Sequence, residues 1–483
     1  MHAKYISRKV PLCVLLLTLF GLLFCKASVG LPETPKSRKW KISAKQQAFL
    51  ETVERDTFNF FWETSSLKNG LTPDRFPGAE MSSVAGMGFA LTAYVVGSKR
   101  GYITRAQAAE RTLTTLKFLW QAPQGPASAG AAGYKGFFYH FLDMDAGKRS
   151  PDAELSTIDT ALLMAGVLSA ETFFDADTPA ERKIRDHAEA LYRRVDWPWA
   201  YSRWQKPLIS MGWLPESGFI PNSWHGYNEA MILYILALAS PTHAIDRGAW
   251  DKWTSTYEWN TFYGYPHVNF GPLFGHQYSH IWIDFRKIQD KYMRAKGIDY
   301  FVNSRRATFA NRAYCIDNPK KWRGYNDLLW GLTASDGPVE GPGKKGDFHS
   351  YWARGCSAGY IRDDGTIAPT ASGGSVAFAP EIAVPTLEHM YANLGDRAYG
   401  KYGFKDAFNL SYRQAPSVSL GWFGRDYLAI DQGPILLMIE NYRSGLVWNL
   451  MKRNAHIKSG LRRAGFSGGW LASVPSEICR PAH

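Results

Sequence analysis

The feature that most constrains the fold of this chain is a recurrent helical periodicity, interrupted by long loops rich in glycine, proline and aromatic residues. Apolar residues recur at three- and four-residue spacing, the pattern of one buried helix face. Strong β-type alternation is nearly absent. Since a linear solenoid would need a fixed repeat period, the pattern predicts an all-α fold of paired helices wound into a toroid. The periodic segments are residues 43–63, 83–97, 104–120, 156–174, 179–195, 228–239, 277–296, 303–314, 380–394 and 432–453.

The first thirty residues indicate the compartment. Basic residues precede an apolar stretch from Val10 to Phe24 and small residues follow it, which is the layout of a secretory signal peptide. The apolar stretch is too short to favour a membrane span. We therefore expect residues 1–30 to be a signal peptide and the mature protein to be periplasmic or secreted, with lipoprotein anchoring through Cys25 as the alternative.

Charge and cysteine content narrow the partners of the mature chain. The formal net charge is +13, of which the signal peptide supplies four. The Lys and Arg residues are scattered among Asp and Glu, which argues against nucleic acid and remains compatible with an anionically substituted glycan. We expect one catalytic domain over residues 31–470, a tail over 471–483, a monomer, and no metal or cofactor. The cysteines outside the signal permit one disulfide at most and lack zinc-site spacing; they are Cys315, Cys356 and Cys479.

Many of the aromatic residues fall in the loops rather than in the helices. Aromatic rings in polar, glycine-rich loops suit flat platforms that stack on sugar rings while neighbouring polar groups bind the hydroxyls. Surplus core packing is the alternative explanation. The pattern favours a glycan-binding cleft, and the loop aromatics include Trp197, Trp199, Tyr201, Trp204, Trp213, Trp224, Trp250, Trp253, Tyr257, Trp259, Phe262, Tyr263 and Tyr265.

Glu229 is the first candidate for glycosidic-bond cleavage, which needs a proton donor and a second carboxylate. It opens an apolar helical segment and follows Trp224, His225 and Tyr227. A glutamate in a first helical turn can also serve only the helix dipole, for a few tenths of a kcal/mol. The aromatic neighbours favour a catalytic carboxyl.

Glu154 and Asp159 form the second candidate segment. Asp159 is expected inside a helix that leads into apolar residues, an expensive place for an unpaired charge. Ser156 is expected to cap that helix, with Glu154 in the loop before it. Capping explains Ser156 but does not explain Asp159.

Asp431 precedes another apolar helix, with Pro434 just after it. It can be the N-cap of that helix, or it can present its carboxylate at the mouth of the toroid. Charged groups beside rings elsewhere are expected to bind substrate. These are Asp74, Arg75, His140 and Asp143.

His276 and His280 are separated by four residues, which on a helix places them on one face where a metal could bind. No third ligand is evident, so substrate hydrogen bonding or a place in the core is the preferred interpretation. Gln277 and Trp282 belong to the same candidate lining. Asp336 lies in a segment with turn-like composition, and it joins the lining candidates.

Several of these segments resemble the glucoamylase-like family that is related to bacterial endo-β-1,2-glucanases. The similarity runs from about Phe58 to Phe466 and is carried by YHFLDMDAGKR, ELSTIDTALLMAG, WHGYNEAMILYILALASPTH, GPLFGHQYSHIWIDFR, WGLTASDGP, DGTIAPTASGGS and YLAIDQGPILLMIENYRSGLVW. The resemblance implies an (α/α)6 barrel that acts on β-1,2-glucan. Relatives hydrolyse within the chain, release sophorose from an end, or transglycosylate as part of cyclic glucan synthases.

The resemblance also implies residue roles. Glu229 falls at the family position of the proposed general acid, and Asp431 is the best match to the base, which in related enzymes acts through ordered water. Endo-acting relatives have an Asp and a Glu three residues apart, where this chain has Ser156 and Asp159. That departure leaves open the roles of Glu154 and Asp159, and with them the choice between an inverting and a retaining or transglycosylating route.

Two other classes of protein fit parts of the pattern. A polysaccharide lyase acting on an acidic glycan would use Tyr227, Asn228 and His276, and the positive charge would suit its substrate. A glycan-binding protein without catalysis would have no need of several costly carboxylates beside rings. The preferred hypothesis is a glycoside hydrolase acting on β-glucan.

Overall fold

A computed structural model describes residues 40–78, 80–338, 348–413 and 421–472. Within these ranges the chain is rich in helices, as the periodicity predicted. The α-helices are α1 Ala44–Thr64, α2 Val84–Arg100, α3 Arg105–Gln121, α4 Thr157–Phe173, α5 Pro179–Arg194, α6 Met231–Ala239, α7 Gly248–Thr254, α8 Tyr278–Trp282, α9 Lys291–Lys296, α10 Tyr300–Asp317, α11 Pro369–Gly373, α12 Pro380–Leu394, α13 Ala429–Arg443, α14 Leu446–Met451 and α15 Ala455–Arg463.

Short β-strands of two to four residues connect the helices. They are too short to produce a readable alternation, which is why the sequence indicated almost no β-structure. The strands are β1 Arg75–Phe76, β2 Met81–Ser83, β3 Gly133–Tyr134, β4 Phe137–Tyr139, β5 Phe141–Asp143, β6 Leu155–Ser156, β7 Gly212–Leu214, β8 Gly218–Phe219, β9 Trp259–Phe262, β10 Tyr265–Val268, β11 Ala334–Ser335, β12 Trp352–Ala353, β13 Gly355–Ser357, β14 Tyr360–Arg362, β15 Thr366–Ile367, β16 Tyr399–Gly400, β17 Gly403–Phe404, β18 Phe408–Asn409, β19 Trp422–Phe423 and β20 Tyr427–Leu428.

Two long periodic segments differ from the sequence-based prediction. Residues 277–296 form the separate helices α8 and α9, because Ile283 turns to extended backbone and Asp290 starts a new helix by capping it. Residues 432–453 are divided between α13 and α14. There Gly445 adopts a left-handed φ of 69°, a conformation that only glycine enters at little cost.

Helix α2 lies at the centre of the packing that positions the candidate site. It crosses α4 with backbone against backbone: a Cβ on Gly166 would lie 2.1 Å from the carbonyl oxygen of Gly88. On its other side α2 packs against α13, where the ring of Phe89 fills the space over Gly433. Larger residues at these glycines would force the helices apart.

The short strands align the starts of these three helices. Each helix directly follows a strand: β2 leads into α2, β6 into α4 and β20 into α13. Strand β2 pairs with β5, and β6 pairs with β4, so the loop between β4 and β5 passes both α2 and α4. Strand β20 pairs with β1, and the N–H of Ala429 donates to the carbonyl of Asp74. The N-terminal ends of α2, α4 and α13 are therefore tied together by backbone hydrogen bonds.

Among the helices of the described ranges, none has the length and apolar character that crossing a bilayer requires.

Candidate active site

Two buried aspartates occupy equivalent positions in the first turns of α4 and α13. Asp159 and Asp431 are each the third residue of their helix. Asp159 is 7% exposed and Asp431 is 3% exposed. The N-terminal end of a helix favours negative charge there. The structure confirms that Ser156 caps α4, with its Oγ 3.2 Å from the N–H of Asp159. Its hydroxyl also donates to the Asp159 carboxylate.

Asp431 is not an N-cap, which corrects one of the two sequence-based alternatives. Leu428 is the cap residue and provides no side-chain hydrogen bond. The strand β20 continues directly into the helix, so the first helical N–H is satisfied by the Asp74 carbonyl. The Asp431 side chain is consequently free to face the site.

Glu229 lies in the turn that precedes α6, two residues before the helix that it was expected to open. Asn228 holds this turn by accepting the N–H of Ala230 at 3.1 Å. Within the described residues the Oε2 atom of Glu229 is buried and has no hydrogen-bond partner. Burial, with a smaller contribution from the charge of Asp159, raises the pKa of Glu229 to about 7. A carboxyl that keeps its proton near neutral pH can act as a general acid.

His140 links Glu154 to Asp159. Its Nδ1 lies 2.8 Å from Glu154 Oε1, and its Nε2 lies 3.7 Å from Asp159 Oδ1. Burial disfavours charge on the imidazole, but Asp159, Glu154 and Asp74 outweigh it and raise the pKa of His140 to about 9. Although burial opposes it, the hydrogen bond from His140 lowers the pKa of Glu154. The imidazole is thus a cation among carboxylates at neutral pH.

A second group of acids surrounds Asp431. Asp406 is 1% exposed, and its Oδ2 accepts the N–H of Asp336 at 2.8 Å. Arg75 pairs with Asp336 at 2.8 Å, and with Asp74 at 3.3 Å. Burial is the largest cause that raises the pKa of both Asp406 and Asp431, and their mutual contact adds to it for Asp431. This side of the site holds more acid than cation.

Tyr278 and Ser279 connect the two groups. The Tyr278 hydroxyl donates to the carbonyl of Ile430 at 3.0 Å, next to Asp431. The Ser279 hydroxyl donates to the carbonyl of Glu229 at 2.9 Å and accepts the N–H of Ile232 at 3.0 Å. Adjacent residues of α8 therefore hold the backbone at both candidate catalytic carboxyls. Tyr278 also faces the charges of Asp431, Glu229 and Asp159, which raise its pKa further after burial.

Four residues of the α8 region, which were expected either to line the substrate site or to lie in the core, are buried. These four residues are at most 1% exposed, and each makes at least one hydrogen bond within the chain. The Nδ1 atoms of His276 and His280 and the Oε1 atom of Gln277 have no partner within the described ranges. Gln277 donates to Ala371, His280 meets Ser304, Trp282 donates to Thr92, and His276 meets the carbonyl of Phe270. They are core residues, and the two histidines lie in a 3₁₀ turn and in α8 rather than on one helix face.

The remaining sequence-predicted residues divide between the site and its surroundings. Trp224 is buried and donates its Nε1 to Thr157 at 2.9 Å, beside the start of α4. Tyr227 is buried and stacks on Tyr300. His225 is exposed next to them. Asp143 is also exposed and accepts the N–H groups of residues 145 and 146, so it shapes a turn rather than the site.

The sequence did not single out several residues on the Asp431 side. Asp406 and Asp426 are among them, together with Trp422 and Phe423, which line a cavity of about 430 Å³. The only signal was an acid beside an aromatic ring, as in the segments KDAF and GRDY. That pattern is too common to have selected them. The cavity is lined by Asp336, Gly337, Ser350, Trp422, Phe423, Gly424, Arg425 and Asp426.

One group of residues within the described ranges has donor atoms close enough to hold a metal ion. Glu171, Glu189 and His456 place these atoms within 4.8 Å of one another. His456 Nε2 already meets Glu189 at 2.8 Å, and Asn454 donates to Glu171 at 3.3 Å. This network joins α4, α5 and α15. Of the three candidate cysteines, Cys315 and Cys356 are buried free thiols, and Cys479 lies outside the described residues.

Comparisons with known proteins agree on one group of relatives. A family model described as "Putative glucoamylase" matches residues 221–455. The exo β-1,2-glucooligosaccharide sophorohydrolase (non-reducing end) of Parabacteroides distasonis is 29% identical over 449 residues, which cover 86% of this chain. The chain spans only 58% of that relative's length.

Solved structures extend the similarity over whole chains. A Bacteroides uniformis protein with the same glucoamylase description is 35% identical, with a TM-score of 0.77, over 90% of this chain and 100% of that one. The endo-β-1,2-glucanase of Chitinophaga pinensis, solved with sophorotriose and glucose, is 30% identical with a TM-score of 0.77. That match covers 89% of this chain and 100% of the glucanase.

Proposed function

Because the chain belongs to the glucoamylase-like family whose members include these β-1,2-glucanases, we propose that it is a glycoside hydrolase of β-1,2-glucan built on an (α/α)6 barrel. One observation carries the proposal. Glu229 is a buried carboxyl whose pKa is raised to about 7. Adjacent residues of one helix bind its backbone carbonyl and that of Ile430, which precedes the buried Asp431. Glycoside hydrolysis needs such a pair with different protonation states.

In the proposed reaction Glu229 gives its proton to the glycosidic oxygen, directly or through a substrate hydroxyl. The bond from that oxygen to the anomeric carbon breaks, and the oxygen of a water molecule bonds to that carbon. The water proton passes to Asp431. Preorganised groups of this kind act because their geometry and charge already suit the transition state.

The remaining charged groups support this chemistry. His140 lowers the pKa of Glu154 and lies 3.7 Å from Asp159, so that these acids are placed to bind hydroxyl groups of the glucan. The negative charge of Asp159 also favours the protonated form of Glu229. The cavity beside Asp336, with its Trp422 and Phe423 rings, has the mixed apolar and polar lining that sugar rings require.

The test is incubation of the purified protein with linear β-1,2-, β-1,3-, β-1,4- and β-1,6-glucans, followed by sizing of the products. We expect new reducing ends from β-1,2-glucan alone. A ladder of products indicates endo action, sophorose alone indicates exo action, and cyclic or lengthened products indicate transglycosylation. Following the anomeric proton by NMR separates inversion from retention.

Matched variants connect the activity to the site. Glu229→Gln should abolish most of the cleavage, whereas Glu110→Gln, an exposed glutamate on α3, should leave it unchanged. Unsaturated products that absorb near-ultraviolet light would show that the protein is a lyase and not a hydrolase. Binding of glucan without any cleavage would show that it is a glycan-binding protein.

Export of the protein is part of the proposal and rests on the sequence of residues 1–30. The mature enzyme would be a monomer with its catalytic domain over residues 31–470, periplasmic or secreted, where it would meet exogenous or cell-envelope glucan. Cell fractionation with N-terminal sequencing tests this. A protein that keeps residues 1–30 in the cytoplasm would contradict it.

A further inference from the structure

Asp406 lies in a rigid loop directly beside Asp431. It sits between β17 and β18, and its N–H donates to the carbonyl of Asp426 at 3.0 Å. The neighbouring Ala407 carbonyl accepts the N–H of Gly424 at 2.8 Å. With Oδ2 fixed by the N–H of Asp336, the other side of the carboxyl lies within hydrogen-bonding reach of the Asp431 carboxyl. The backbone leaves Asp406 little freedom to move away.

Two ionised carboxylates cannot make this contact, because both would be acceptors only. Asp406 Oδ1 and Asp431 Oδ2 are buried, and within the described ranges no donor hydrogen-bonds to either atom. One proton between the two carboxyls satisfies both atoms and removes the repulsion of like charges at low dielectric. Burial raises the pKa of both carboxyls. The charge of Asp336 adds to this effect for Asp406, whose pKa rises to about 7.

The charged groups around the pair do not offer an alternative to this proton. Asp336 and Asp74 add negative charge, and Tyr278 and Tyr351 also face Asp431. The nearest cations are already engaged by other acids. Arg75 pairs with Asp336 and Asp74, and Arg354 makes a fully buried pair with Asp364 at 2.7 Å. In the described part of the chain, no salt bridge reaches Asp406 or Asp431.

We propose that Asp406 is a positioning residue for Asp431: the two carboxyls share one proton, and this shared hydrogen bond orients Asp431 and leaves the pair with one negative charge. The inference rests on the proposed function of Asp431 as the base. In the reaction the pair accepts the water proton as a unit and becomes neutral. It returns that proton to solvent before the next turnover, so that protons and charge balance.

Asp406→Asn provides the main test. An amide can accept the Asp336 N–H and donate to Asp431, so it keeps the geometry but removes the shared proton and the second carboxyl. In the parent the acidic limb reports the addition of a second proton to the singly charged pair, whose shared hydrogen bond favours the charged form. The neutral amide of Asn donates a weaker hydrogen bond, so Asp431 should take up its proton at higher pH. We expect the acidic limb of kcat against pH to move up by about one pH unit, while kcat at the optimum stays within about tenfold of the parent.

Asp406→Ala completes the comparison because it removes the orienting hydrogen bond as well. We expect kcat to fall by a further factor of about ten or more relative to Asp406→Asn. Asp396→Asn, an exposed carboxylate that contacts neither member of the pair, is the control and should leave the limb in place. A folded Asp406→Asn protein whose acidic limb does not move overturns the proposal.

A measurement without substrate separates this inference from the proposed function. Between about pH 4.5 and pH 7 the folded protein holds the shared proton, whereas the unfolded chain has released it. Folding therefore takes up one proton in this pH range. The free energy of unfolding of the parent should therefore fall with pH over this window, and the slope should lessen in Asp406→Asn. Asp431→Asn should lessen it equally, and it serves if Asp406→Asn does not fold. An unchanged slope contradicts the pair, whereas a parent that cleaves no β-1,2-glucan contradicts only the function.

Discussion

The two candidate catalytic carboxyls reach a raised pKa by different physical means. The pKa of Glu229 is raised mainly by burial, with a smaller contribution from the charge of Asp159. Its Oε2 atom has no hydrogen-bond partner in the described ranges. Asp431 is buried too, but it is crowded by Asp406, Asp336 and Asp74. Isolation leaves a proton on one group, whereas crowding makes a proton common to two. The first arrangement suits a donor, and the second suits an acceptor that must stay ionised.

The largest expected effect separates the donor from the acceptor. Glu229→Gln and Asp431→Asn should each lower kcat on β-1,2-glucan by about 10²- to 10⁴-fold, the usual contribution of general acid or base catalysis. A nitrophenyl glycoside of a β-1,2-linked oligosaccharide needs no proton on its leaving group. Glu229→Gln should therefore recover most of its rate on that substrate, and Asp431→Asn should not.

Equal recovery of both variants, or of neither, would contradict the division of roles. Circular dichroism and thermal unfolding of each variant check that the protein is folded before the rates are compared.

A second prediction concerns the change in stability between pH 5 and pH 8. Since the pKa of Glu229 rises from 4.5 to about 7 on folding, the folded state binds its proton more tightly than the unfolded state. The corresponding stabilisation is present at low pH and is lost as pH rises through 7. This loss lowers the free energy of unfolding of the parent by at most about 3 kcal/mol, and it should be absent in Glu229→Gln.

Urea unfolding at pH 5 and pH 8 provides the measurement. The free energy of unfolding should fall less between these two values in Glu229→Gln than in the parent. A parallel pH dependence of the two proteins would show that Glu229 ionises normally.

His140→Asn should produce a smaller effect, with the same direction of pH dependence but at higher pH. The pKa of His140 rises from 6.5 to about 9, so its contribution to stability is fully present below pH 6.5 and is lost as pH rises through 9. The variant should be less stable than the parent at pH 6, and the difference should shrink at pH 10. Because 31% of the side chain is exposed, solvent screens the charges and the difference will be modest.

Thermal midpoints at the two pH values measure this. A midpoint difference that is the same at pH 6 and pH 10 would mean that His140 acts through packing and not through its charge.

The smallest expected effects test the α8 connection. Tyr278→Phe and Ser279→Ala each remove one hydrogen bond, worth about 1 kcal/mol. We expect kcat to fall several-fold in each. The activity of Tyr278→Phe should respond like that of an Asp431 variant, and the activity of Ser279→Ala like that of a Glu229 variant, when the nitrophenyl substrate replaces β-1,2-glucan. An identical response of both variants would argue against separate control of the two carboxyls.

How much of this was predictable from sequence depends on the range of the interaction. The helices α1 to α5 and the Ser156 cap follow from periodicity and local hydrogen bonding, and they were predicted. Glu229 and Asp159 were recognised because an acid beside apolar residues is visible in sequence. The contact between Asp406 and Asp431 depends on strands of two residues, which leave no periodic trace.

The α8 region shows the opposite limitation. Its histidines attracted attention because they can titrate or bind metal, yet they belong to the core. The residues next to these histidines in the sequence do not show whether a histidine lies in the core or in a cleft. The residues between them, Tyr278 and Ser279, act through backbone carbonyls, and no pattern in the sequence marks a carbonyl as a partner.

The hydrogen bonds from Ser279 and Tyr278 to the backbone carbonyls of Glu229 and Ile430 have a mechanical consequence. When α8 shifts as a unit, the carbonyls at Glu229 and Ile430 are displaced in the same direction, because Ser279 and Tyr278 bind them. Thermal displacement of that helix is then common to the donor and the acceptor. The distance between the two groups therefore varies less than the position of either group. Proton transfer on both sides of the glycosidic bond depends on that distance.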